Sequence, residues 1–383
     1  MINKLSITNF KVFTSAEISL GKYTLLSGLN SSGKSTALQA LALLRQAKDE
    51  GLLHHPEDHE KGLSGIPLNG DLITLGRGQD VLNEYFAGAA GSEPKIGFEL
   101  HAGDVSQNWW VGYGRENDLL PIVDTNSTEI ENLDTEKLFT IFNPGFQYLT
   151  ADRITPAVTF PRSHEMAVRK GFLGIHGEYT IDFLRAMQDE PVSNSVLHHH
   201  AATSSRLLDQ VIAWMQVICP GVRLQTSTIE GTDLIRLGFQ FSRANEPSSR
   251  YYRPTNVGFG LTYVLPTVVA CLSALPGSMI LLENPEAHVH PRGQTALARL
   301  TCAAAAAGAQ VIVETHSDHI LNGVRLSVKE ALLAPHDVAL HYFQRGPQGV
   351  EDIMPAVGQD GMLSSWPSGF FDEWDRSLDE LLD

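Results

Sequence analysis

Apolar and polar positions alternate at the start of the chain in two short runs, at 5–10 and 16–20. A period of two is typical of strands, so the runs predict a β-hairpin. A short apolar strand at 23–27 follows and leads into a loop rich in glycine and serine. Beyond the loop, residues 34–47 have helical spacing, with Leu38, Leu41 and Leu44 on one face. The pattern therefore predicts a strand, a glycine-rich loop and a helix in direct succession.

The same alternation of strand and helix returns in the last third of the chain. The predicted elements are a helix at 260–275, a strand at 278–282, a helix at 292–307, a strand at 310–314 and a helix at 317–333. Strands that alternate with helices indicate a mostly parallel sheet covered on both faces. The expected fold class is therefore α/β, with an antiparallel β-layer at the amino terminus.

Between these two regions the pattern is less regular. Paired strands are predicted at 95–101 and 108–114, another strand at 146–150, helices at 181–187 and 205–218, and a hairpin over 223–241. We expect a discontinuous core of residues 1–50 and 250–383, which includes an amphipathic carboxyl-terminal segment at 355–383. Residues 51–249 would form an inserted lobe of strands and helices.

Composition removes several classes of protein. Of 383 residues, 43% are hydrophobic and 19% are charged, as in a globular protein. The three cysteines lie far apart in apolar surroundings, so they indicate core positions and neither a disulfide framework nor a zinc site. A formal net charge of −16 argues against a surface that coats nucleic acid, although it leaves room for a local basic groove.

No membrane segment is predicted. The apolar run at 263–282 is long enough to suggest a span, but Pro276-Gly277 is a turn signal that divides it into a helix and a strand. The first residues lack the apolar stretch of a signal peptide. We therefore expect a cytoplasmic protein.

The strongest chemical signal is the stretch 28–35, which reads G-x-x-x-x-G-K-S. Its glycines let backbone N–H groups surround phosphates, and the following helix adds the positive end of its dipole. Lys34 would reach the β- and γ-phosphates, and Ser35 could bind Mg²⁺. The sequence therefore predicts that this segment binds ATP–Mg²⁺.

Two apolar strands end in polar residues. The strand at 279–282 is followed by Glu283 and Glu286, and a carboxylate in this position could hold Mg²⁺ opposite Ser35. The strand at 310–314 is followed by His316, which could sense the γ-phosphate or position a water. Side chains at the carboxyl ends of parallel strands point into a ligand crevice, so both segments are candidate parts of the site.

A weaker signal precedes the apolar helix that covers the 260s. Asn256 suits the N-cap of that helix, and Gly258 and Gly260 would expose backbone N–H groups at its start. Such a start is either a second anion site or simply a capped helix.

These segments, in this order, resemble the ABC-type ATPase heads of the SMC, RecF and OLD-like group. Residues 7–13, ITNFKVF, look like the opening of those heads, Asn256 and Gly258 fall on the signature motif, residues 283–291 on the Walker B and D-loop region, and 314–317 on the switch-histidine segment. Residues 366–374, WPSGFFDEW, resemble the end of a bacterial subfamily of AAA-labelled ATPases. The likeness is good over 1–50 and 250–383 and loose between them.

The resemblance implies a P-loop NTPase in which two heads hold two ATP molecules, each between one head's P-loop and the other's signature motif. The implied nucleotide contacts are Lys11, Gly28, Asn30, Ser31, Ser32, Gly33, Lys34, Ser35, Thr36, Asn256 and Gly258. Mg²⁺ would bind Ser35 and Glu283. Catalytic roles fall to Glu283, Glu286 and His316.

Two residues depart from the pattern of the group. Glu283 stands where aspartate is usual, and Asn284 stands where the catalytic glutamate is expected. An amide cannot accept the proton of the attacking water. Either Glu286 or His316 takes over, or the protein is mainly an ATP-binding switch; we favour slow hydrolysis assisted by Glu286.

Three functions remain open. The first is an ATP-switched dimer that controls a partner effector, such as a nuclease, in bacterial defence against phage; this idea rests on the resemblance. The second is an ATP-dependent DNA-binding repair protein of the RecF type, which the net charge disfavours. The third is a small-molecule kinase.

Overall fold

The computed structural model describes residues 1–58, 62–86, 93–127, 135–242, 249–346 and 349–382. The chain divides into two compact units. Unit 1 comprises Met1–Asn143, Val338–Pro355 and Pro367–Phe370, and unit 2 comprises Pro144–Asp337, Ala356–Trp366 and Phe371–Asp383. The division into a core and an inserted lobe that the sequence suggests stays a prediction.

Unit 1 is built mainly from strands. Its elements are β1 (Lys4–Phe10), β2 (Phe13–Ser19), β3 (Tyr23–Gly28), α1 (Lys34–Asp49), β4 (Gly65–Pro67), α2 (Gly78–Val81), β5 (Lys95–Ala102), β6 (Val105–Gly112), β7 (Leu119–Ser127), and later in the chain β14 (Val338–Gly346) and β15 (Gly349–Ile353). One antiparallel sheet has the order β2-β1-β5-β6-β7-β4. This is the predicted amino-terminal β-layer, and it includes the hairpin of β1 and β2.

The strand that leads into the glycine-rich loop belongs to a second group of strands in unit 1. β14 pairs in parallel with β3 and antiparallel with β15, and His341 of β14 lies opposite Leu26. β3 is buried along its length up to Ser27, as expected for a strand covered on both faces. α1 buries Leu38, Leu41 and Leu44, which confirms the face that the sequence predicts.

Unit 2 alternates strands and helices. Its elements are β8 (Gln147–Leu149), β9 (Phe160–Pro161), α3 (Thr180–Met187), α4 (Leu207–Ile218), β10 (Val222–Thr228), β11 (Leu234–Phe241), α5 (Phe259–Leu272), β12 (Met279–Glu283), α6 (Pro291–Ala306), β13 (Gln310–Glu314), α7 (Asp318–Lys329) and α8 (Glu373–Leu382). β12 pairs in parallel with β13 on one side and with β8 on the other. β10, β11 and β9 form a separate antiparallel sheet.

The apolar run at 263–282 is divided between α5 and β12, as predicted. α5 is buried almost all round, from Leu261 to Leu272, which explains why its sequence has no polar face. Within the described residues, no helix combines the length and the apolar character that a bilayer crossing requires. Cys271 and Cys302 are buried as expected, but Cys219 is only half-buried because it lies just beyond the end of α4.

Candidate functional site

The glycine-rich loop of unit 1 curls because two of its positions exclude side chains. Gly28 has φ +139°, and a Cβ there would lie 2.1 Å from the backbone oxygen of Phe343. Gly33 has φ +113°, and a Cβ there would lie 2.5 Å from the ring of Phe13. Both positions therefore require glycine for conformation and for space.

Lys34 follows the second glycine and begins α1. It is 3% exposed, and its Nζ donates hydrogen bonds to the backbone oxygens of Gly28 (3.0 Å) and Leu29 (2.8 Å). The first turn of α1 contains no acidic residue, so its positive end is not neutralised from within the helix. Asn30 and Ser31 are exposed, Ser35 is half-buried, and Ser32 and Thr36 are buried. A cradle of this construction suits phosphate groups.

A cavity of about 830 Å³ adjoins residues that contact this loop. Arg345, one of its lining residues, donates a hydrogen bond to the backbone oxygen of Ser31. Lys11 also lines the cavity, and its Nζ donates to Oε1 of Gln39 in α1 at 2.7 Å. The remaining lining residues are Val12, Thr14, Gln79, Asp80, Leu82, Asn83, Glu84, Tyr85, Gly346, Gly349 and Val350. The cavity therefore lies beside the loop and within the same unit.

Lys11 has its place because the turn between β1 and β2 is fixed. The residue has φ +51°, its N–H donates to the backbone oxygen of Val81, and its own oxygen accepts from Nδ2 of Asn83, both at 2.7 Å. Lys11, which the resemblance places at the nucleotide, is thus held in the wall of the cavity.

In unit 2, polar residues gather where three parallel strands end. Glu283, the last residue of β12, pairs in register with Glu314, the last residue of β13. On the other side of β12, Leu149 of β8 lies opposite Leu282. The residues that follow these strands share one edge of the sheet, which is where α/β proteins bind ligands.

The carboxylate of Glu283 is held by the segment that follows β8. Its Oε1 accepts a hydrogen bond from the hydroxyl of Tyr148 at 2.6 Å, and its Oε2 accepts one from the N–H of Ala151 at 3.1 Å. Burial, together with the charge of Glu283, raises the pKa of Tyr148, so the tyrosine stays a donor.

Glu286 is buried, with 7% of its surface exposed. Its Oε1 accepts hydrogen bonds from the hydroxyl of Thr315 at 2.6 Å and from the N–H of His316 at 3.0 Å. Its Oε2 makes no hydrogen bond to any described residue. Burial raises the pKa of Glu286, and those two hydrogen bonds and the charge of Arg153 partly oppose that effect.

Asn284 and His316 are presented differently. Asn284 has φ +43°, and its N–H donates to the backbone oxygen of Glu314 at 2.8 Å. Asparagine is one of the few residues that tolerate this left-handed conformation. His316 is exposed beyond the end of β13.

Two residues that the motifs did not include complete this edge. Arg153 is 3% exposed and donates through Nη2 to the backbone oxygen of Glu283 at 2.6 Å. Its guanidinium lies 4.7 Å from the centre of the ring of Tyr263. Burial lowers the pKa of Arg153 and raises that of Tyr263. The signal in the sequence was an arginine three residues after a predicted strand, a pattern more typical of a solvated loop.

The predicted cap of α5 is wrong in detail. Asn256 lies in a short 3₁₀ turn, Pro254–Asn256, and Gly258 is the N-cap residue of the helix. The chain reaches helical geometry only after Gly258, because Val257 is extended. Both Asn256 and Gly258 are exposed, and a Cβ on Gly258 would meet nothing within 4 Å.

The predicted site residues thus fall into two groups, each within one unit. Unit 1 brings together Lys11 and the loop residues 28–36. Unit 2 brings Glu283, Glu286 and His316 to one edge, where they are joined by Tyr148, Arg153, Tyr263 and Thr315.

Three known families match parts of the chain. Residues 1–143 match a family described as "AAA ATPase domain", and residues 178–322 match "AAA domain, putative AbiEii toxin, Type IV TA system". Residues 333–381 match "Protein of unknown function (DUF3696)". No curated protein matches the chain.

Solved structures of SMC heads are similar over almost the whole chain. An SMC head bound to the C-winged helix domain of ScpA has a TM-score of 0.54 at 14% identity, over 94% of this chain and 98% of the other. The SMC head domain from Thermotoga maritima has a TM-score of 0.45 at 12% identity, over 92% and 98%. An SMC head with an extended coiled coil, bound to the C-terminal domain of ScpA derived from Pyrococcus furiosus, has a TM-score of 0.49 at 12% identity, over 100% and 99%.

The chain has an α/β fold similar to that of an SMC head, and residues 1–143 and 178–322 match ATPase families, which confirms the resemblance seen in the sequence. Its carboxyl-terminal residues match DUF3696. The likeness of the carboxyl-terminal WPSGFFDEW motif to one bacterial subfamily stays a prediction.

Proposed function

We propose that the protein binds ATP–Mg²⁺ and hydrolyses it slowly, as a dimeric switch that controls a partner protein. The observation that carries this proposal is the cradle around Lys34, where two glycines exclude side chains and a helix begins without an acidic residue. Residues 28–36 would hold the phosphates. Lys11, together with the adjoining cavity, would hold the rest of the nucleotide.

For Mg²⁺ the proposed ligands are Ser35 and Glu283. The donor set fits a hard cation, because both supply oxygen atoms. Each oxygen of Glu283 accepts one hydrogen bond, and a carboxylate oxygen has a further lone pair to offer. When bound, Mg²⁺ would neutralise phosphate charge and so ease attack on the γ-phosphate.

Glu286 is the proposed acceptor of the proton from the attacking water. Its Oε1 is engaged by Thr315 and His316, and its Oε2 makes no hydrogen bond to a described residue, so one oxygen remains to accept. Asn284 stands where the resemblance expects the base and is chemically unable to act as one. His316, exposed at the same edge, would contact phosphate. Hydrolysis without the usual glutamate is expected to be slow.

Asn256 and Gly258 are the proposed contacts to a nucleotide held by a second head. They lie exposed at the start of α5, with open space around Gly258, so another molecule could approach the backbone N–H groups there. The SMC head that shares this fold is described as bound to a domain of ScpA, so a protein partner is proposed here too. A role in defence against phage, through an effector such as a nuclease, is proposed from the resemblance seen in the sequence, and the second matching family is described as a putative toxin of a type IV toxin–antitoxin system.

The first experiment is light scattering on the purified protein with and without ATP–Mg²⁺, together with phosphate release and Lys34→Ala as control. We expect a dimer that forms with ATP and is lost in the variant. A monomer that binds ATP and never dimerises, even at high concentration, would contradict the switch and favour a small-molecule kinase.

The proton acceptor is tested by steady-state rates of Glu286→Gln and Asn284→Glu. We expect Glu286→Gln to lower kcat at least about tenfold, as for loss of a general base. A large loss of rate in Asn284→Glu, combined with no effect of Glu286→Gln, would refute the role of Glu286.

DNA binding remains a second candidate because two arginines lie exposed on the β10–β11 sheet. Arg223 on β10 and Arg236 on β11 are exposed, and neither strand contains an acidic residue. Tyr252 forms a bridge to Phe239 of β11, and the neighbouring Tyr251 is 45% exposed. Arginines with an exposed aromatic ring suit single-stranded nucleic acid.

This candidate predicts that single-stranded DNA stimulates hydrolysis and that Arg236→Ala removes the stimulation. Hydrolysis that is indifferent to DNA at low salt would exclude it.

A further inference from the structure

Arg153 is a buried cation whose hydrogen-bonding capacity is only partly used. It is 3% exposed, and its Nη2 donates a hydrogen bond to the backbone oxygen of Glu283. Its Nε and Nη1 make no hydrogen bond to any residue that the structure describes. Burial of unpaired N–H groups on a charged side chain is costly, so their presence calls for an explanation.

Tyr263 shares the task of holding the backbone after β12. The Arg153 guanidinium lies 4.7 Å from the centre of the Tyr263 ring, and such an arrangement is favourable for a buried cation. The Tyr263 hydroxyl lies 3.0 Å from the backbone oxygen of Asn284 and 3.0 Å from that of Ala151. Arg153 and Tyr263 therefore bind the oxygens of two consecutive residues, Glu283 and Asn284.

Those two residues form the turn that leads to Glu286. Asn284 takes the left-handed conformation, φ +43°, and the next two residues are buried. A turn of this kind persists only when its surroundings hold it, and here two buried side chains do so. The direction in which Glu286 leaves the turn depends on both bonds.

The carboxylate of Glu286 complements the unpaired N–H groups of Arg153. Its Oε2 is buried and makes no hydrogen bond within the described part of the chain. The charge of Arg153 nevertheless acts on Glu286 and on Glu283. Two unpaired polar groups of opposite charge in one buried cluster are the usual setting of an ordered water that bridges them.

We propose that Arg153 and Tyr263 are a positioning pair, which fixes the turn from Glu283 to Glu286 and, through a water on the unpaired N–H groups of Arg153, orients the free oxygen of Glu286. This inference rests on the proposed function, because Glu286 is there the proton acceptor. Neither residue of the pair touches the nucleotide in this scheme. A purely structural role is a weaker account, since an apolar side chain would fill the place of a buried arginine at lower cost.

The experiment measures kcat, KM for ATP and the thermal midpoint for the full chain and four variants. Tyr263→Phe removes the hydroxyl and keeps the ring, and Arg153→Lys keeps the charge and loses the planar fork. Arg153→Gln loses the charge as well. Tyr113→Phe is the matched control, because Tyr113 follows β6 in unit 1 and its hydroxyl makes no hydrogen bond to a described residue.

We expect kcat to fall about tenfold in Tyr263→Phe and about a hundredfold in Arg153→Gln, with KM changed less than about twofold, because loss of positioning raises the barrier without weakening ground-state binding. Arg153→Lys should restore part of the rate lost in Arg153→Gln. Tyr113→Phe should keep the wild-type kcat. A structural role would lower the thermal midpoint in all three site variants without this division between kcat and KM.

Wild-type kcat in Tyr263→Phe would overturn the pair, and so would equal rates for Arg153→Lys and Arg153→Gln. If Arg153→Gln does not fold, Tyr263→Phe decides, since wild-type kcat in that variant alone refutes the proposal. Absence of any hydrolysis that depends on Lys34 would be a different failure, because it would overturn the proposed function itself.

Discussion

Glu286 places a carboxyl group where ionisation is unfavourable. It is 7% exposed, and burial raises its pKa in the folded protein above the ordinary value for glutamate. Between the ordinary and the raised pKa, the folded state binds more protons than the unfolded state, so stability falls as pH increases through that interval. The residue that we propose as proton acceptor is thus a cost to stability at neutral pH, as is common at active sites.

Glu286→Gln should therefore abolish most hydrolysis and raise the thermal midpoint. Glutamine keeps the oxygen that accepts from Thr315 and His316, and it cannot ionise. The gain should be larger at pH 8 than at pH 4, where the glutamate of the wild type is mostly protonated in both states. Thermal unfolding at both values measures it. A gain at pH 4 that equals or exceeds the gain at pH 8 would show that the charge is not the cause.

Asn284 illustrates a second constraint at the level of the residue. Its φ of +43° disfavours side chains branched or extended from Cβ, and asparagine and glycine bear it best. The glutamate expected from the resemblance would be strained in this turn. The departure from the usual pattern therefore has a conformational reason as well as a chemical consequence.

The stability of variants at position 284 should depend on how well each residue tolerates a positive φ. We expect Asn284→Gly to be more stable than Asn284→Ala by about 1 kcal/mol, because only glycine avoids the steric cost of a positive φ. Urea unfolding of both variants at pH 7 gives the difference. Equal stabilities would mean that the turn relaxes to another conformation when asparagine is lost.

At the scale of the element, Ser317, the N-cap residue of α7, directly follows His316 and links the helix to the site. Ser317 Oγ accepts from the N–H groups of His319 and Ile320 and donates to Oε1 of Gln294 at 2.6 Å. Gln294 in turn donates to the backbone oxygen of Val289 at 2.8 Å. One hydroxyl thus fixes both the start of α7 and the loop after Glu286.

Ser317→Ala should lower the free energy of unfolding by about 1 kcal/mol, the usual value of an N-cap side chain, and should also lower kcat because His316 lies next to it. Ser317→Thr keeps the hydroxyl and is the control. Urea unfolding and phosphate release are the measurements. If Ser317→Ala loses stability but keeps the wild-type rate, the cap does not affect catalysis at the site.

The elements also show what could be predicted from sequence. Periodicity located α1 and the helices and strands from α5 to α7 to within a few residues, because each buries a face or a whole length that its own sequence encodes. The P-loop could be predicted for a similar reason, because its whole motif lies within residues 28–35. The bond from Tyr148 to Glu283 spans 135 positions, and that from Tyr263 to Ala151 spans 112, so no spacing along the chain announces them. The N-cap of α5 was predicted at Asn256 and lies at Gly258, because asparagine and glycine are both good N-cap residues. The extended conformation of Val257 decides between them.

At the scale of the whole molecule, charge is unevenly shared. The formal net charge is −16, yet β10 and β11 carry only arginine among charged residues. We do not expect the whole surface to bind polyanions, but this charge distribution is compatible with polyanion binding at β10 and β11. Self-association of an acidic protein is opposed by repulsion and should strengthen with salt, unless a bound nucleotide supplies contacts between copies.

The dimer proposal makes a prediction about stability that does not depend on detecting the dimer. A ligand that binds only the folded state stabilises it, by about 2.7 kcal/mol at a hundred times its dissociation constant. For a monomer that stabilisation does not depend on protein concentration. If ATP also joins two heads, unfolding must separate them, and the thermal midpoint rises with protein concentration. We therefore expect a midpoint that increases over a tenfold to hundredfold range of protein concentration with ATP–Mg²⁺, stays constant without nucleotide, and shows no ATP effect in Lys34→Ala. If ATP raises the midpoint by the same amount at every protein concentration, and Lys34→Ala abolishes that rise, the nucleotide site is supported and the dimer is refuted. A folded dimer that separates on unfolding must become more stable as protein concentration increases.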